Sequence, residues 1–163
     1  MSDAPPEATP TAWDSQAAVD AVRAKVQTLL LRETEIGLDQ LGRITVDRGS
    51  TRVYINFAPQ DEPRVVFVTL TAPVAFFVPV TPALFEKIAR ESDRWYFGHL
   101  CMSVYEEEGE HKGTAYVYLT ETLVGDFLDP QELTIPVLAL ANTANAMDED
   151  FVTEFGGVKY ADN

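Results

Sequence analysis

The apolar positions change period along the chain, and each change marks an element. Ala18, Val19, Val22, Val26, Leu29 and Leu30 recur at helical spacing, with Asp20, Arg23, Lys25 and Gln27 on the other side. Asp14 or Ser15 caps this helix, which is expected to end between Glu33 and Ile36 with Gly37 as its stop. The period then falls to two. Ile44 and Val46 alternate with Thr45 and Asp47, Arg48-Gly49-Ser50 turns the chain, and Val53, Ile55 and Phe57 face away from Arg52, Tyr54 and Asn56. Val65 to Thr71 is apolar at nearly every position, which predicts a central strand covered on both faces. Pro73 limits how far it pairs.

Thr81-Pro82 opens a short helix carrying Leu84, Phe85 and Ile88. A long strand is expected from Arg94 to Glu106, with His99, Cys101, Ser103 and Tyr105 on one face and Leu100, Met102 and Val104 on the other. After the acidic loop Glu106–Gly113, Thr114 to Thr122 returns, with Ala115, Val117 and Leu119 opposite Tyr116 and Tyr118. Asp129-Pro-Gln-Glu132 has the form of a capping box with proline at the first helical position, and Phe155-Gly-Gly157 ends the helix that follows. Leu133, Val137, Leu140, Ala144, Met147 and Phe151 form its stripe. Pro136 cannot donate to the carbonyl of Glu132, which predicts a kink or a late helix start.

The order is αβββαββα. Consecutive strands with short turns make this an α+β domain on an antiparallel, five-stranded sheet. Residues 1–13, rich in proline and small residues, predict a disordered tail. Residues 14–157 form the single expected domain, and 158–163 a C-terminal tail.

Composition narrows the role. The chain of 163 residues carries a formal net charge of -14, a surface that repels nucleic acid and anionic lipid. Residues 1–95 hold 13 acids and 10 bases, whereas residues 96–163 hold 13 acids and 2 bases. Most of the excess therefore falls on the last hairpin and the closing helix. No apolar run is long enough to cross a membrane, and the N-terminus lacks the pattern of a secretion signal. The single cysteine, Cys101, excludes an internal disulfide framework and suits a cytoplasmic protein.

Catalytic chemistry is hard to assemble from these residues. His99 and Cys101 are two apart on one strand face, but no second ligand pair exists for a structural zinc, and no third group orients a cysteine nucleophile. His111 lies in the acidic loop and is expected to be solvated. No phosphate loop, nucleophile elbow or dinucleotide fingerprint occurs. No cofactor or metal is expected, and the chain reads as a non-enzyme. Two surfaces remain. Tyr54, Phe76, Phe77, Tyr116 and Tyr118 are too many aromatics for one small core and form a candidate client-binding face. Asp148, Glu149, Asp150 and Glu154 oppose the dipole at the end of the closing helix and form a candidate acidic contact surface for a basic partner.

The chain resembles the actinobacterial members of the family that joins type III secretion chaperones with YbjN-like proteins. The resemblance runs from about Ser15 to Gly157. It rests on the element order, Arg52-Val-Tyr-Ile55, the Val65–Val80 stretch, Leu123-Val-Gly-Asp126 with Gln131-Glu-Leu133, and Ala144-Asn-Ala-Met-Asp148 running to Phe155-Gly-Gly157. It implies a non-catalytic protein that holds extended client segments on an open sheet. It further implies a possible homodimer with Leu84, Phe85 and Ile88 at the interface. The alternative is a regulatory or scaffold domain that binds one folded partner.

Overall fold

The computed structural model describes residues 13–162. The tail expected over residues 1–13 lies outside them, apart from Trp13. Helix α1 (Ser15–Leu30) is capped by Asp14, whose carboxylate accepts from the Ala17 amide at 3.0 Å. It ends at Leu30, earlier than the sequence suggests. Gly37 does not stop it, because Gly37–Leu38 forms a short strand, β1, beside β2 (Ile44–Arg48). This strand raises the sheet from the expected five strands to six. Two residues are too few for a period to register.

Strands β3 (Thr51–Gln60), β4 (Val65–Pro79), β5 (His99–Val104) and β6 (Thr114–Val124) complete an antiparallel sheet of order β1-β2-β3-β4-β6-β5. Helix α2 (Pro82–Glu91) lies in the crossover from β4 to the edge strand β5, and the hairpin back inserts β6 beside β4. β5 is shorter than expected. Residues 92–98 form a turn closed by the Leu100 amide on the Ser92 carbonyl at 3.1 Å, with Gly98 at φ 85°.

Helix α3 (Pro130–Phe155) begins where its capping box places it. Asp129 accepts from the amides of Gln131 and Glu132 at 2.8 and 2.7 Å, and Glu132 returns a carboxylate to the Asp129 amide at 3.0 Å. The late start expected from Pro136 does not occur. The cap fixes the first turn, and the carbonyl of Glu132, deprived of its donor, belongs to an exposed residue that water can reach.

Helices α1 and α3 cover one face of the sheet. Val22, Val26 and Leu30 from α1 and Leu133, Val137, Leu140, Ala144 and Phe151 from α3 close over Val53, Ile55, Val68, Leu70, Val117 and Leu119. β4 is central, yet its burial alternates from Val65 to Leu70. It is therefore covered on one face only, not on both as its composition suggested. Among the described residues, the opposite face of the sheet carries no α-helix.

Candidate functional site

The register fixes what the open face presents. Tyr54 pairs with Thr71, Thr71 with Thr120, and Thr120 with His99; Tyr118 pairs with Cys101 and Tyr116 with Ser103. Most side chains on this face are aromatic or hydroxylated, and most are half-buried. The alternating partners on the helix side are aliphatic and buried.

A bulge in β4 adds two aromatics to the same face. The register against β6 shifts between Ala75 and Val78, and Phe77 takes φ 55°, a conformation that non-glycine residues rarely adopt. Strict alternation would send Phe76 and Phe77 to opposite sides. Instead, Phe76 stacks on Tyr116 at 4.9 Å and Phe77 stacks on His111 at 3.6 Å. Tyr116 stacks in turn on Tyr118 at 4.7 Å.

The segment after Gly157, expected as a tail, joins this array. Val158 and Phe76 exchange backbone hydrogen bonds of 2.8 and 2.9 Å. Tyr160 then meets Tyr54 edge-on at 6.3 Å, with their hydroxyls 3.2 Å apart. Gly157 permits the approach: it sits at φ 93°, and a Cβ there would lie 2.5 Å from the Phe76 carbonyl oxygen.

All five aromatic residues singled out in the sequence thus meet on one face. Tyr105, His111 and Tyr160 belong with them and were missed. His111 is exposed, as expected, and its ring also lies against Phe77. Only Tyr105 carried a usable signal, the strand alternation that puts it in line with Cys101 and Ser103. Beside these residues lies a concavity of about 360 Å³, lined by Arg43, Tyr54, Asn56, Thr71, Pro73, Phe76, Tyr105 and Tyr116. That volume lies within the ordinary range of binding clefts.

The electrostatics of this face are muted. Arg43 lies over the Tyr54 ring at 4.6 Å and Arg52 over the Tyr160 ring at 5.8 Å, but each guanidinium also holds a carboxylate, Asp39 and Asp47 respectively. Burial pushes the Tyr116 hydroxyl well above the ordinary tyrosine range, with neighbouring tyrosines adding to it. Burial and the hydrogen bond to Tyr54 push Tyr160 up to about 12. Both remain neutral donors near pH 7. Burial also pushes the Cys101 thiol up, which opposes the thiolate a nucleophile needs. Among the described residues, no three His, Cys, Asp or Glu side chains are grouped to hold a metal.

The other candidate surfaces change more. Asp148 is only 4% exposed and accepts from the Ser50 hydroxyl, while Asn145 accepts from the Ser50 amide at 2.6 Å. It therefore fastens the β2–β3 turn to α3 and presents nothing to a partner. Its place on the core stripe, four residues after Ala144, explains this. Glu149 is exposed. Asp150 and Glu154 line a cleft of about 500 Å³ between α2 and α3, where Lys87 and Arg94 face them and Lys87 approaches Glu154 to 3.7 Å. On α2, Leu84 is fully buried inside the chain and Ile88 packs half-buried on the core, which leaves Phe85, 51% exposed, as the one side chain of that trio free to meet a second copy.

The family model TY-Chap1, described as T3SS (YopN, CesT) and YbjN peptide-binding chaperone 1, matches residues 16–163. The chain belongs to this family. The TY-Chap1 match runs past Gly157 and so includes the segment that carries Tyr160. No curated protein matches the chain. Peptide binding by the TY-Chap1 family agrees with a sheet that leaves one face uncovered. Among the described residues, no helix is long and apolar enough to cross a membrane.

Proposed function

We propose that this protein is a non-catalytic chaperone that holds an extended client segment on the open aromatic face of its sheet. The observation that carries the reading is the aromatic array of Phe76, Phe77, Tyr116 and Tyr118, joined to Tyr54 through Tyr160, beside a concavity that Tyr54, Phe76 and Tyr116 line. Flat rings give a segment large apolar contact at low entropic cost, and the tyrosine hydroxyls meet its main-chain groups. Ordering an extended client limits affinity, which suits transient holding. The reading places the protein in the cytoplasm, where a single thiol stays reduced. It also includes a homodimer through α2 in which Phe85 makes the contact and two faces add avidity.

The test uses reduced, carboxymethylated lactalbumin, which remains unfolded, beside the native form of the same protein. The chain is expected to bind the unfolded form alone. Replacing Tyr116 and Tyr118 together by serine should weaken that binding about tenfold or more. Binding that survives the double substitution unchanged rejects this face. Binding to the native form alone replaces the chaperone with a scaffold for folded partners.

A further inference from the structure

A second surface lies away from the aromatic array. Ten large hydrophobic side chains are exposed among the described residues, and Phe97, Val124, Phe127 and Ile135 all line one groove. Phe127 is 77% exposed and Ile135 50%. Single exposed apolar residues need no explanation, but a concentration of them in a groove of about 530 Å³ marks a contact surface. The groove runs between the first turns of α3 and the end of β6. There β6 continues from Glu121 to Val124 after its last pairing with β5, at His99 and Thr120.

Among the described residues, the charges that line it have one sign. Asp129 and Glu132 line the groove, and no base does. Glu121 borders it by accepting from the amides of Gly98, 2.7 Å, and Thr122, 3.3 Å. Asp126 precedes Phe127 and accepts from the Val66 amide at 2.8 Å. Among the described residues none of these four carboxylates is in an ion pair. Lys25 reaches the same turn, but its ammonium donates to the carbonyl oxygens of Gly125 and Asp126, at 3.4 and 2.9 Å. An apolar floor with an acidic rim whose carboxylates bond backbone amides but no base is complementary to apolar anchors flanked by bases.

We infer that this groove docks a basic amphipathic segment of a partner protein, with its apolar side chains against Phe127 and Ile135 and its lysines or arginines against the carboxylate rim. The surface does not depend on the open sheet face for its argument. It gives the chain a second contact, by which a partner bearing such a segment is held separately from the extended client.

The test measures fluorescence anisotropy with a fluorescein-labelled amphipathic peptide of leucines and lysines, and with a twin carrying glutamate for each lysine. Physiological salt screens the diffuse charge of the chain to within about 8 Å. The lysine peptide is expected to bind at least about tenfold more tightly than its twin. Phe127→Ala and Ile135→Ala should each weaken it about tenfold. Both side chains are largely exposed, so the thermal midpoint should hold. Tyr116→Ser should leave this binding unchanged. Equal binding of the two peptides, or an unchanged affinity in both alanine variants, overturns the inference. So does a loss that follows Tyr116 instead, or a dimer in sedimentation that Phe127→Ala splits. A failure at Tyr116 and Tyr118 with lactalbumin leaves the groove standing, because the two tests read different residues.

Discussion

Along β6 the two faces of the sheet diverge at alternate residues. Ala115, Val117 and Leu119 point under the helices and are fully buried, while Tyr116, Tyr118 and Thr120 point to the open side and keep part of their surface in water. The strand and the backbone hydrogen bonds are the same for both sets. The difference is that, among the described residues, one face meets α1 and α3 and the other meets no α-helix. The covered face is built from branched aliphatics that fill space tightly. The open face is built from rings that stack in a row and carry hydroxyls at their tips. One set holds the fold together, and the other is available for contact.

The sharpest way to break this comparison is to truncate neighbours. Leu119→Ala should cost about 2–5 kcal/mol, because it removes a fully buried side chain and leaves a cavity. Tyr118→Ala, one residue earlier, should cost about 1 kcal/mol. Urea unfolding of both variants measures the gap. Equal costs would mean that the open face is as structural as the covered one, and the aromatic array would lose its claim to be a binding surface.

A similar contrast separates neighbours on α3. Asp148→Ala removes a charge-assisted hydrogen bond from the Ser50 hydroxyl, leaving Asn145 as its acceptor at 2.9 Å, and should cost about 1–3 kcal/mol. Glu149→Gln, on the exposed side, should stay within about 0.5 kcal/mol. If the two are alike in urea, Asp148 is not the fastening this geometry makes it.

Much of the frame was legible because it is local. Asp129, Pro130 and Glu132 specify a helix start within four residues, and Thr81 with Pro82 does the same for α2, where Thr81 accepts from the Leu84 amide at 3.2 Å. The α3 stripe was legible by period. What escaped depends on contacts remote in sequence. Strand β1 exists only because β2 lies beside it. Pro73 is tolerated in β4 because a bulge follows, and that bulge carries the strand on to Pro79. The aromatic residues could be named as a group but not joined, since the φ of Phe77 and the return of Tyr160 leave no periodic trace. Residue type alone misplaced Asp148 and Leu84: a carboxylate reads as surface until its position on the stripe is weighed, and an apolar residue on a short helix reads as interface until its partner in the core is known.

The return of the C-terminal segment tests whether the open face is assembled by the chain itself. Gly157→Ala places a Cβ against the Phe76 carbonyl oxygen in a conformation that already disfavours a side chain, at about 1–2 kcal/mol. Hydrogen exchange should show the loss locally, at the amides of Phe76 and Val158, with the α3 core unchanged. Protection that falls equally across α3 would mean the segment is part of the cooperative core.

The smallest effect is expected from alkali. Burial and the hydrogen bond to Tyr54 raise the Tyr160 hydroxyl to about 12, against about 10 in an unfolded chain. Above about pH 10 the unfolded state therefore releases a proton that the folded state retains, and stability falls as pH rises. The contribution of Tyr160 is complete below about pH 10 and is lost as pH passes about 12. Tyr116, raised more strongly by its deeper burial, adds to the same slope and loses its share at higher pH. Tyr160→Phe keeps the ring against Phe76 and Tyr54 but removes the titrating group. Its unfolding midpoint should decline less steeply between about pH 10 and about pH 12 than that of the parent chain. Parallel declines would place Tyr160 in water, where its pKa would match the unfolded value, and would remove the C-terminal segment from the open face.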